Sequence, residues 1–140
     1  MASEMFRILE HPADVGFEAY GASVAETFAN AARALTSIRV DLEMIVLRES
    51  VTARAEGRDR ESLLFNWLSE VLYLEDAEGW LFAKFEIEEM SDVAFHALAR
   101  GEKYDPARHQ LKSLVKAITY HQLAIEKTDC GWRAQVFVDI

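Results

Sequence analysis

Apolar residues recur along this chain with two different periods, and the changes of period mark out its elements. Residues 5–9 have the composition of a short strand, His11 and Pro12 interrupt it, and Val15, Phe17 and Ala19 then share one face of a second strand that Gly21 closes. Ser23 followed by Glu26 has the spacing of a capping box, in which the serine oxygen accepts from a free backbone N–H and the glutamate reaches back. The helix that starts there carries Val24, Phe28, Ala31, Leu35 and Ile38 as one stripe and ends near Val40. The stretch from Asp41 to Val46 fits neither period.

Val51, Ala53 and Ala55 alternate within a strand over residues 48–55 that Gly57 stops. Asp59 is the N-cap of a second helix whose broad apolar face is Leu64, Trp67, Leu68, Val71 and Leu72, finishing near Glu75. After Gly79, Leu81, Ala83, Phe85 and Ile87 alternate with Phe82, Lys84, Glu86 and Glu88, the period of a half-solvated strand. Further strands are predicted over residues 93–100, over 115–127 with a break, and over 132–138. Residues 101–109, with Asp105 and Pro106, read as an exposed excursion between paired strands. Two helices packed on one face of a mostly antiparallel sheet make an α+β two-layer sandwich. With no linker, repeat or low-complexity segment, residues 1–140 are expected to form a single domain.

Composition narrows the class. At 140 residues and 51% hydrophobic, the chain can bury one core without disulfides or structural zinc. Cys130 is the only cysteine, which excludes an internal disulfide or a cysteine-rich metal site and suits a reducing, cytoplasmic setting. Glu4, Arg7 and Glu10 deny the first residues the apolar core of a signal peptide, and no uncharged apolar run is long enough for a membrane-spanning helix. The net charge of −9, from 15 Lys and Arg against 24 Asp and Glu, disfavours direct nucleic-acid binding, which rests on cations neutralising phosphates. It leaves room for a basic patch on another protein.

Gly-rich phosphate loops, nucleophile elbows, His-Glu-x-x-His and Cys-x-x-Cys are all absent from the sequence. The polar candidates that remain are His11 with Asp14, the segment from Arg100 to His109, the segment from Lys116 to His121, and Asp139 beside Ile140. His11-Pro12-Ala13-Asp14 reads as a turn, or as a loop that offers the Asp14 carboxylate to a hard cation. Alternation places Trp132, Ala134, Val136 and Val138 on one face and Arg133, Gln135, Phe137 and Asp139 on the other, so Asp139 is expected outside the core. Its carboxylate and that of Ile140 then crowd together, relieved either by water or by a cation. Asp105 to His109 reads as a solvated loop, His96 and His121 as structural strand residues, and Cys130 as a hairpin residue without a role.

Together these residues resemble the archease family. His11-Pro12-Ala13-Asp14-Val15-Gly16 is similar to the family's N-terminal motif, with Pro12 where threonine is usual. The similarity continues through Glu18-Ala19-Tyr20-Gly21, the helix of Trp67-Leu68 and Leu72-Tyr73-Leu74, Ala99-Arg100-Gly101-Glu102 with Asp105 and His109, and Lys116-Ala117-Ile118-Thr119-Tyr120-His121. It closes with Gly131-Trp132-Arg133-Ala134 and Val138-Asp139-Ile140, so it spans nearly the whole chain in order.

The resemblance implies a non-catalytic activator of the GTP-dependent RNA ligase that joins 2′,3′-cyclic phosphate and 5′-hydroxyl ends in tRNA splicing and RNA repair. In that family the ligase is guanylylated on a histidine, and archease promotes this step and restores the ligase for further turnovers. The implied metal site is Asp14, Asp139 and Ile140, the last through a main-chain or terminal oxygen, with Ca²⁺ the first choice and Mg²⁺ or Mn²⁺ the alternatives. His11 and Lys116 are the implied partner-facing residues. Loss of the threonine hydroxyl at Pro12 bears on how the loop supports Asp14. Two rival readings remain: a small metal-dependent phosphoesterase using His11 or His121 as base, and a metal-independent chaperone or scaffold.

Overall fold

A computed structural model of the protein describes residues 4–10 and 14–140. His11, Pro12 and the turn expected between the first two strands lie outside the described residues.

Strands β1 (Phe6–Glu10) and β2 (Asp14–Gly21) are followed by helix α1 (Val24–Arg39). Ser23 caps α1 by accepting from the Glu26 N–H at 3.1 Å, and Glu26 reaches back to the N–H of Ala22, one residue before the cap. Phe28, Ala31, Leu35 and Ile38 are buried as the stripe requires. A short 3₁₀ turn (Leu42–Met44) occupies the stretch that fits neither period, capped by Asp41.

Strand β3 (Glu49–Glu56) leads to helix α2 (Arg60–Asp76). The α2 cap is reciprocal: Asp59 Oδ1 accepts from the Ser62 N–H at 2.8 Å, and Ser62 Oγ accepts from the Asp59 N–H at 3.2 Å. Strands β4 (Trp80–Glu88), β5 (Ala94–Lys103), β6 (Ala117–Thr128) and β7 (Gly131–Asp139) complete the chain.

Two helices packed on antiparallel sheet is the α+β arrangement expected, but the strands divide into two sheets. One has the order β1-β2-β7-β6 and the other β3-β5-β4, every pair antiparallel. Each helix touches both: α1 lies on β1, β2 and β7 and also on β4, while α2 lies on β6 and also on β3 and β4. One cluster of buried side chains therefore draws on both sheets and both helices, with Trp67 at its centre. The Trp67 indole N–H donates to the Phe28 carbonyl at 3.0 Å, and its ring meets Phe85 and Phe95 edge-on.

The break expected in the sixth strand is present. Thr119 pairs with Phe137 and Ala124 with Gln135, so residues 120–123 of β6 stand opposite Val136 alone. Gln122 takes a φ of 52° there, and its carbonyl accepts from Gln135 Nε2 at 3.0 Å.

The excursion expected over residues 101–109 requires correction. Gly101, Glu102 and Lys103 are the end of β5, and Gly101, Glu102 and His109 are buried. A Cβ at Gly101 would stand 1.8 Å from the Leu81 carbonyl oxygen, so only glycine admits the approach of β4. Glu102 and His109 tolerate burial because they bond to one another.

Candidate functional site

Asp14 opens β2 and Asp139 closes β7, and the register places the two directly opposite one another. Asp139 is in turn opposite Ala117, so three strands meet at this corner of the sheet. Residues directly opposite in an antiparallel pair share a face, with Cβ atoms about 5 Å apart. Phe17, Ala19, Val136 and Val138 are turned into the core, which leaves Asp14 and Asp139 on the face away from the helices, with Gly16 and Phe137 in the second row beyond them.

Asp14 is half-buried and Asp139 exposed. Neither carboxylate takes a hydrogen bond or an ion pair from a described side chain. Like charges directly opposite on a ladder repel. The donors at this corner are all oxygen, the set that suits a hard cation retaining part of its water shell. Among the described residues no cluster of three or more His, Cys, Asp or Glu side chains forms, so further ligands would be main-chain oxygen or water. Ile140 follows Asp139 directly and is 44% exposed.

Beside the carboxylates the face is shaped by an unusual exchange of volume. A Cβ at Gly16 would stand 2.5 to 2.9 Å from the ring of Phe137, so the ring occupies the space a side chain would take. Phe137 is 2% exposed although it points away from the core, and the ring of His121, carried outward by the irregular stretch of β6, meets it edge-on at 5.7 Å. Thr119 Oγ1 donates to the Phe137 carbonyl at 3.1 Å.

Lys116 lies one register position beyond the Ala117–Asp139 pair. Its backbone N–H donates to the Asp139 carbonyl at 2.8 Å, and its side chain is exposed. The structure thus brings Asp14, Asp139, Ile140 and Lys116 to one corner; His11 lies outside the described residues.

Sequence reasoning named the segment from Arg100 to His109 but read Asp105 to His109 as a solvated loop, whereas the structure draws Glu102, Arg108 and His109 into a second polar cluster. Glu102 Oε2 accepts from the Val46 N–H at 2.9 Å and bonds His109 Nε2 at 2.8 Å, while Oε1 meets Arg108 at 2.5 Å and Arg48 at 3.0 Å. The Asp105 N–H points at His109 Nδ1 at 2.9 Å, and since an amide can only donate, the ring hydrogen sits on Nε2 and is given to Glu102. Burial raises the Glu102 pKa, but the Val46 N–H, Arg108 and His109 outweigh it and hold the carboxyl down at about 2. The signal available in the sequence was Glu102 standing seven residues before His109, which no periodicity links.

Among the described residues no helix is long and apolar enough to cross a membrane. Residues 6–140 match the model of the Archease protein family. A protein archease of Methanosarcina mazei is 44% identical over 139 residues, covering 96% of this chain and 95% of the relative. One of Pyrococcus furiosus is 42% identical over 135 residues, covering 94% and 95%. The solution structure of protein 1598 from Methanobacterium thermoautotrophicum superposes with a TM-score of 0.81 at 31% identity, covering 97% of this chain and 99% of that one. A crystal structure of an archease from Thermotoga maritima, described as a possible chaperone, gives a TM-score of 0.61 at 24% identity over 94% of each chain, a likeness of fold.

Proposed function

This chain belongs to the archease family, and from that premise we propose that it is a non-catalytic accessory protein that binds a divalent metal ion and activates an RNA ligase joining 2′,3′-cyclic phosphate and 5′-hydroxyl ends. The activation consists of promoting guanylylation of the ligase and restoring it for further turnovers, in tRNA splicing or RNA repair in the cytoplasm. The observation that carries this reading is the register pairing of Asp14 with Asp139, which gathers two carboxylates from distant parts of the chain onto one exposed sheet corner.

Asp14, Asp139 and the main-chain oxygen of Ile140 are the ligands in this reading, and Ca²⁺ is the first choice because the donors are oxygens on a partly open surface. A divalent ion held there supplies positive charge near the triphosphate during guanylyl transfer. The chain's own contribution is positional. Strands β2 and β7 fix the spacing of the carboxylates, Phe137 seals the sheet beside them against Gly16, and the Lys116 N–H holds the β7 end in place through Asp139. Lys116 and His11 are the residues this reading assigns to contact with the ligase.

The test is guanylylation of the ligase from the same organism with wild-type protein, Asp14→Asn or Asp139→Asn, alongside a phosphoesterase screen of the isolated protein. Wild type should accelerate guanylylation and the variants should not, with no hydrolysis by the protein alone. Activation by both variants equal to wild type would leave a metal-independent scaffold; phosphoester turnover without ligase would make it an enzyme.

A further inference from the structure

From Pro106 to Ile125 the chain contains no Asp or Glu, although it carries 24 over 140 residues. The centre of that run, residues 109–116, has no regular secondary structure, yet its backbone is pinned repeatedly. His109 is bonded to Glu102 at 2.8 Å, the Lys112 N–H donates to the Arg39 carbonyl at 2.7 Å, Val115 is buried, and the Lys116 N–H donates to Asp139 at 2.8 Å. Between the pins the side chains face solvent. Leu111 is 44% exposed and Leu114 60%, the highest value of any large apolar side chain among the described residues. Lys112 and Lys116 are exposed and form no ion pair with a described residue.

Resting on the ligase reading above, we propose that Leu111, Lys112, Leu114 and Lys116 form the surface by which this protein docks on its ligase, seated in an apolar socket rimmed by carboxylates. Exposed leucines on a flexible loop would pay an ordering cost on binding, whereas here the backbone is already fixed. Two lysines in an acid-free run give this segment a local positive charge on a protein whose net charge is −9. That selects an acidic face on the partner and fixes the docking orientation. Nucleic acid fits less well: Arg108 is committed to Glu102, two lysines are few for phosphate tracking, and leucines offer bases no stacking platform. Because Lys116 hangs from Asp139, docking through this loop brings the Asp14–Asp139 corner to the partner.

The experiment measures affinity of the ligase from the same organism for wild type, for Leu111→Ser with Leu114→Ser, for Lys112→Glu with Lys116→Glu, and for a control with Leu47→Ser and Tyr73→Ser, each first checked for an unchanged melting curve. Loss of the two leucines should weaken binding by about 10-fold or more, with activation recovered at saturating protein. The lysine reversal should weaken it by a similar factor at low salt and by less at high salt, while the control binds as wild type. If both loop variants bind as wild type and still activate, docking lies elsewhere and the functional reading stands. If wild type neither binds nor activates the ligase, that reading fails and this assignment falls with it. If the loop variants instead change only self-association or RNA binding, the surface serves another occupant and the proposal is overturned.

Discussion

Glu102 and His109 are joined by a 2.8 Å hydrogen bond at the point where the chain leaving β5 turns back along the molecule. The pair, with Arg108 and Arg48, is what allows an irregular segment to be held rigidly without a strand partner. Replacing Glu102→Gln keeps the shape but removes the charge, and should cost about 1 to 3 kcal/mol, read as a lower urea midpoint with an unchanged slope. The pH dependence has a definite sign. The Glu102 pKa is held at about 2, below its ordinary 4.5, so its stabilisation is complete above 4.5 and is lost as pH falls towards 2. Wild type should therefore lose stability across that window more steeply than Glu102→Gln.

The opposed carboxylates of Asp14 and Asp139 predict a reversal of sign with metal. In a chelator, Asp14→Asn or Asp139→Asn should raise stability by about 0.2 to 1 kcal/mol, because a like-charge pair directly opposite on a ladder is relieved. With millimolar Ca²⁺ the order should invert, since only wild type gains from ligand binding to the folded state. Melting curves of the three proteins in both solutions decide it. A wild type indifferent to Ca²⁺, Mg²⁺ and Mn²⁺ would remove the metal site.

The elements were legible because their boundaries are written locally: Ser23 and Asp59 cap the helices, and alternation in β7 separates core from solvent. The alternation expected in β4 requires correction: a bulge at Ala83 turns Phe82 into the main core with Phe85, while Leu81 packs in a separate cluster with Val40 and Ile45. The pairing of Asp14 with Asp139 was not written in either segment alone. It came from family resemblance, and register supplies its physical basis, since a shift of one residue would have sent one carboxylate into the core. The division into two sheets and the burial of Glu102 and His109 were illegible for a related reason: both depend on contacts between remote segments, and polar residues beside Asp105-Pro106 carry the composition of a solvated turn.

Gly16→Ala should be felt at the carboxylate corner. The added Cβ would stand within 2.9 Å of the Phe137 ring, which has the His121 ring on another side. Accommodating it means displacing the ring or the strand, a cost of about 1 to 3 kcal/mol. The same variant should weaken any Ca²⁺-dependent gain in melting temperature, because Gly16 follows Asp14 on the same face. A full Ca²⁺ response in a destabilised Gly16→Ala protein would show that the ring supports the fold without supporting the site.

Arg39 and Glu75 make the opposite kind of buried pair from the Glu102 cluster. Arg39 Nη1 meets Glu75 Oε1 at 3.0 Å with both side chains almost wholly shielded, and Glu75 Oε2 also accepts from Thr36 Oγ1 at 2.7 Å and the Phe82 N–H at 3.1 Å. Burial pushes the Glu75 pKa up despite the pull of Thr36, Arg39 and the Phe82 N–H. Arg39→Leu leaves that carboxylate without its counter-charge, and at pH 8 should cost about 3 to 5 kcal/mol. Its pKa would then rise further, so the folded variant takes up a proton that the unfolded chain does not hold, and lowering the pH from 8 towards 5 should restore part of the loss. Denaturation series at those two pH values measure the recovery. An equal deficit at both would mean that Glu75 stays ionised without Arg39, held by Thr36 and the Phe82 N–H alone.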